Sequence, residues 1–114
     1  MSEVTATVKY AMISQPMRGL SEEEIGKTRD AAIKDLQSRG YVVLNTCFNN
    51  DELPGPLGGN IPMRFLSKSL ATMSLCTAVY FCKGWDNTRG CKVEHAVADA
   101  YGLEMLYEED VPTL

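Results

Sequence analysis

The chain has 114 residues and a mass of 12.6 kDa, which is one domain's worth of polypeptide. Hydrophobic residues make up 45% and charged residues 23%, ordinary globular values that exclude a disordered chain or a coiled coil. The formal net charge of −4 withholds the broad cationic field that a sequence-independent binder of nucleic acid polymers needs.

From Val4 to Ile13 apolar residues alternate with Thr5, Thr7 and Lys9, and the segment ends in the apolar run Tyr10-Ala11-Met12-Ile13. This predicts a strand with an exposed start and a buried end. Ser14 to Gly19 reads as a turn. Ser21 and Glu24 then form a capping box, and Ile25, Ala32, Ile33 and Leu36 follow at helical spacing up to Gly40, a natural helix stop. Tyr41 to Leu44 reads as a short buried strand, and Cys47 to Ile61, rich in Asn, Gly and Pro, as a long irregular connection. Met63, Leu66, Leu70 and Met73 make a second helical stripe, with the methionines as core filler. Ala78 to Cys82 is the clearest buried strand, and Lys83 to Thr88 a loop. Val93, Ala96, Val97 and Ala100 mark a third helix ended by Gly102, and Leu103 to Tyr107 a last strand.

The N-terminus shows no basic region followed by an apolar run, and no window approaches the roughly 18 apolar residues of a membrane span. The expectation is a reduced, cytoplasmic setting without membrane contact. Of the four cysteines, Cys47, Cys76, Cys82 and Cys91, none forms a C-x-x-C pair. Cys91 and His95 lie one helical turn apart, yet two ligands do not make a metal site, so no metal is assigned.

Strands alternating with helices imply an α/β fold with a parallel sheet and helices on both faces. Right-handed crossovers make the strand order 2-1-3-4 the expected one. Ligands of such sheets bind beyond the carboxyl ends of the strands, where the order reverses. Two loops border that point here. The first, Ser14-Gln15-Pro16-Met17-Arg18-Gly19, offers a hydroxyl, an amide, a guanidinium suited to phosphate or carboxylate, and a permissive glycine. The second, Gly84-Trp85-Asp86-Asn87-Thr88-Arg89-Gly90, leads to Glu94 and His95. Thr88 is placed to cap the third helix, whose free N–H groups favour anions. A lone glutamate such as Glu94 is more often a partner of the helix dipole than a catalyst. Its place beside the cleft makes it a candidate nucleophile for a sugar's anomeric carbon. His95 is more often a packed or surface residue. The glycine motifs of P-loops and of dinucleotide-binding folds are missing, as is the G-x-S-x-G motif.

The segments Met12-Ile13-Ser14-Gln15-Pro16-Met17-Arg18-Gly19 and Gly84-Trp85-Asp86-Asn87-Thr88-Arg89-Gly90-Cys91-Lys92-Val93-Glu94-His95 resemble the DUF4406 family. That is a small family common in bacteria and their phages, within the nucleoside 2-deoxyribosyltransferase-like superfamily. The resemblance runs from about Tyr10 to Tyr107. It implies a flavodoxin-like three-layer sandwich and chemistry at the N-glycosidic bond of a nucleoside or nucleotide. It also implies that Glu94, in a Gly-x-x-x-Glu setting with Gly90, is the nucleophile. Thr88 looks like the small hydroxyl residue that the nucleotide N-hydrolase branch carries near the 5′-phosphate, and Arg18-Gly19 looks like its phosphate-contacting segment. The implied substrate is a nucleoside 5′-monophosphate, with no added cofactor. Sites completed across subunits imply a homodimer or larger homo-oligomer.

Two positions depart from the pattern. Met12 stands where characterised members of the superfamily carry a tyrosine that holds the nucleophile, although Tyr10 lies on the same strand face. Ser69 stands where they carry an aspartate that handles the leaving base's proton, and Asp86 is the candidate substitute. Serine is a poor general acid, and such a step contributes about 10²–10⁴-fold in rate. Three functions are therefore weighed: an N-glycosidase or deoxyribosyltransferase, a protein that retains a nucleotide or nucleotide-derived signal uncleaved, and a purely structural protein. The polar loops at the switch point count against the last.

Overall fold

A computed structural model of the chain describes residues 8–45 and 58–108. Its elements run β1 (Lys9–Ser14), α1 (Glu22–Ser38), β2 (Tyr41–Leu44), α2 (Ile61–Met73), β3 (Ala78–Phe81), α3 (Arg89–Ala100) and β4 (Glu104–Tyr107). The expected strand residues Val4 to Thr7, most of the 47–61 connection and Cys47 lie outside the described residues.

The four strands form one parallel sheet of order β2-β1-β3-β4, the flavodoxin-like arrangement expected from the alternation of elements. Strand β1 is central. Lys9 and Tyr10 at its start are exposed, and Ala11, Met12, Ile13 and Ser14 are buried. Helices cover both faces, so the strands read as apolar runs. On the α1 face, Ala11, Ile13, Ala78, Tyr80 and Cys82 pack with Ala32 and Leu36. On the opposite face, Met12, Val79 and Phe81 pack with Met73 of α2 and Ala98 of α3. Met73 and Met12 are core filler, whereas Met63 is 62% exposed. Fully burying a side chain such as Leu36 or Phe81 stabilises the fold by about 1.5–3 kcal/mol.

Local signals set the helix ends. Ser21 caps α1, its Oγ accepting from the Glu24 N–H at 3.1 Å. Gly40, at φ +89°, ends that helix in the left-handed conformation that glycine adopts without a Cβ clash. Asn60 caps α2 by accepting from the Met63 N–H at 3.0 Å. At the edges of the sheet the Tyr41 hydroxyl donates to the Glu104 carboxylate, joining the two outer strands. Among the described residues no helix is long and apolar enough to cross a membrane.

Candidate active site

The switch point between β1 and β3 holds a cavity of about 450 Å³. Three walls meet there. Ile13, Gln15, Met17 and Arg18 come from the end of β1 and the turn after it; Pro62, Phe65, Leu66 and Ser69 come from α2; Thr88, Gly90, Cys91 and Glu94 come from the start of α3. The two loops flanking the switch point touch. A Cβ on Gly84, which has φ +86°, would lie 3.5 Å from Pro16 Cγ.

Glu94 is the centre of this arrangement. It sits in the second turn of α3 and is only 8% exposed. The hydroxyl of Ser14, itself 1% exposed, donates to Glu94 Oε1 at 2.6 Å, a length typical of a charge-assisted bond. Burial pushes the Glu94 carboxyl above the usual carboxylate range, and the hydroxyls of Ser14 and Ser69 pull it part of the way back. Cys91 lies one turn before Glu94 and is 3% exposed. Burial raises its thiol, the Ser14 hydroxyl lowers it, and the Glu94 charge raises it again. The thiol is therefore protonated at neutral pH and is a weak nucleophile.

The end of the cavity beside the α3 N-terminus suits an anion. Thr88 occupies the N-cap position, but its hydroxyl donates back to the Gly84 carbonyl at 3.2 Å and makes no cap bond to the helix. The side-chain cap expected at Thr88 is thus replaced by a bond that closes the preceding turn. The first-turn N–H groups of α3 receive no side-chain cap from Thr88, which is the kind of helix N-terminus that favours anions. Arg18 stands exposed at the second position of a turn closed by Leu20 N–H to Met17 O at 3.1 Å. Gly19 follows at φ +80°, where a turn of this kind calls for glycine. The wall contributed by α2 is mainly apolar, through Pro62, Phe65 and Leu66.

Of the residues singled out in the sequence, Gln15, Met17, Arg18, Thr88, Gly90 and Glu94 line the cavity, and Ser14 lies behind Glu94. Pro16, Gly19 and Gly84 shape the loops. Trp85, Asp86 and Asn87 form a short 3₁₀ turn and do not line the cavity. Trp85 instead stacks on His95, ring centroids 4.0 Å apart at 11°, and both pack near Phe81 and Tyr107. His95 also exchanges a hydrogen bond with the Tyr107 hydroxyl at 2.7 Å. Cys91 and His95 therefore serve different neighbourhoods, and among the described residues no cluster of three metal-ligating side chains occurs. Met12 is fully buried in the α2/α3-side core, and Tyr10 does not line the cavity. The lining residues Ile13, Pro62, Phe65, Leu66 and Cys91 were missed as site residues. The α2 set had a readable signal: positions 62, 65, 66 and 69 share one face of a helix.

Residues 9–107 match the DUF4406 family, a domain of unknown function. The chain belongs to that family. No curated protein and no solved structure matches it.

Proposed function

We propose that the protein is a nucleoside 5′-monophosphate N-glycosidase or deoxyribosyltransferase of the nucleoside 2-deoxyribosyltransferase-like superfamily, with Glu94 as its nucleophile. The observation that carries this reading is the Ser14–Glu94 pair: a buried carboxylate, oriented by a hydroxyl at 2.6 Å, in the wall of a cavity of about 450 Å³. Ser14 engages Oε1 and Ser69 bears on the same carboxylate, so the two hydroxyls would orient it toward an incoming carbon. Arg18 and the α3 N-terminus would hold the 5′-phosphate. Phe65, Leu66 and Pro62 would face the base. In the first step Glu94 forms a bond to the anomeric carbon as the carbon–nitrogen bond breaks, and the base leaves with the bonding electron pair and takes a proton from solvent. In the second step a water, or the nitrogen of an acceptor base, attacks the same carbon, loses a proton and frees the carboxylate. Homo-oligomerisation that closes the mouth of the cavity belongs to the same proposal.

A second reading has its own support. Among the described residues the titratable groups lining the cavity are Arg18, Cys91 and Glu94, and a serine, Ser69, bears on the carboxylate where a proton donor for the base would be useful. A site built this way would retain a nucleotide or nucleotide-derived signal without cleaving it. Incubating the protein with a panel of nucleoside monophosphates and separating free base from nucleotide decides between them. Base release that disappears in Glu94→Gln supports the enzyme. Intact nucleotide recovered from denatured protein supports the binding protein.

A further inference from the structure

The Glu94 cavity has a neighbour. A second cleft of about 310 Å³ adjoins it, and Pro62, Leu66 and Gly90 line both. The outer cleft adds Asn60 and Met63 from the start of α2, and Arg89 and Val93 from α3. Met63 and Val93 are exposed apolar side chains, a platform for a flat, weakly polar group. Arg89 is exposed and has no hydrogen-bond or ion-pair partner among the described residues. Asn60 Oδ1 is taken by the Met63 N–H at 3.0 Å, which leaves the amide N–H groups of Asn60 to donate elsewhere. Gly90 belongs to both clefts. It is the second residue of α3, its φ is not left-handed, and a Cβ there would meet no atom of the described residues within 4 Å. Neither backbone nor packing therefore calls for glycine, a poor helix former. Bare backbone at this point lets a ligand pass close to the helix.

These two clefts offer room for more than one nucleoside. In the N-glycosidase reading the sugar lies at Glu94 and its 5′-phosphate near Arg18 and the start of α3. Arg89 and Gly90 are the first residues of that same helix. A group attached to the phosphate continues over Gly90 toward Arg89 and the outer cleft. A second phosphate there would meet a free guanidinium. The apolar side chains beyond it suit a base, and the Asn60 amide suits a ribose hydroxyl, the mix of apolar wall and few polar groups that small-molecule sites show. We infer that the site takes a dinucleotide whose two nucleosides are joined through a 5′–5′ pyrophosphate. One nucleoside lies at Glu94, the pyrophosphate crosses Gly90, and the second nucleoside fills the outer cleft. The glycine motif of dinucleotide-binding folds is missing, so Gly90 and Arg89 take its part here. The inference rests on the N-glycosidase reading and extends its substrate class.

The test is calorimetric titration of the whole protein with a nucleoside 5′-monophosphate, the 5′-diphosphate and the dinucleoside diphosphate, in an adenine and a uracil series. The wild-type protein is expected to bind the dinucleotide of one series roughly tenfold more tightly than the diphosphate, for which burial of about 60 Å² of apolar surface suffices. Val93→Asp places a carboxylate in the outer cleft and does not touch the lining of the inner one. It should bring the dinucleotide within about twofold of the diphosphate. Met63→Asp repeats the change from the α2 side. Arg89→Ala should weaken the diphosphate and the dinucleotide several-fold and the monophosphate by less than about twofold. Damage to the fold would weaken all three ligands together and leave their ratios unchanged, so the ratios separate recognition from structure. A wild-type dinucleotide affinity no tighter than the diphosphate's, or a preference that survives in both aspartate variants, would overturn the inference, and binding of the monophosphate would leave the glycosidase reading standing. Failure of every nucleotide to bind the wild-type protein would overturn the two together.

Discussion

Ser14 Oγ and Glu94 Oε1 lie 2.6 Å apart, joining the end of the central strand to the second turn of α3 across most of the sequence. Both residues are buried, so this bond holds the carboxylate in one orientation and also favours its charged form. Replacing Ser14 with Ala removes the bond and leaves the burial. The Glu94 carboxyl then moves further above its ordinary value, and turnover at pH 6 falls about 10–100-fold, more than at pH 8. The pH dependence of kcat/KM for base release checks this, with the acid limb of the variant displaced to higher pH.

The raised Glu94 carboxyl has a consequence for stability. The folded state holds the proton more tightly than the unfolded chain does. Stability is therefore fully present below the ordinary glutamate value of 4.5 and is lost as pH rises through the folded value. Above that folded value the fold carries a buried charge that desolvation disfavours. Glu94→Gln should raise stability at pH 7.5 by about 1 kcal/mol, roughly 4–8 °C in Tm, and the gain should vanish near pH 4. Thermal melts at the two pH values measure both.

Arg18 is exposed at the cavity mouth, so its contribution is screened by solvent. Arg18→Ala should weaken a nucleoside monophosphate by roughly tenfold while the parent nucleoside changes by less than about twofold. Competition binding with the two ligands reads the difference. An equal loss for both would remove Arg18 from phosphate recognition.

Ser69 bears on Glu94 from α2. An aspartate there would stand beside the buried carboxylate, and the pair would share a proton. Ser69→Asp should increase base release by about tenfold or more near pH 6, where one of the two groups stays protonated and able to serve the leaving base. Single-turnover rates across pH show whether this occurs.

Much of the fold was legible because its signals are local. Ser21, Gly40 and Gly102 end helices within a turn of themselves, and the buried end of β1 shows as a run of apolar residues. The strand order followed from alternation and handedness. The expected cleft followed from the order, and the cavity found there is lined by Arg18, Thr88 and Glu94. The α2 wall was not legible as part of the site. Phe65 and Ser69 reach the cavity only because α2 crosses over β1 between β2 and β3, and their stripe sits beside the core stripe of Leu70 and Met73. Trp85 was equally opaque. Its place in the loop suggested a ligand contact, whereas the 3₁₀ turn aims its ring at His95. Trp85→Ala is accordingly expected to lower stability by about 2 kcal/mol, measurable by urea unfolding.

The central claim is that Glu94 bonds covalently to the sugar during turnover. Acid-quenching the protein during reaction with a nucleoside monophosphate, followed by peptide mass spectrometry, tests it directly. The account predicts a pentose phosphate adduct on the peptide carrying Glu94, free base in equal amount, and neither product in Glu94→Gln. Unmodified peptide together with intact nucleotide, from a protein that demonstrably binds that nucleotide, would contradict it.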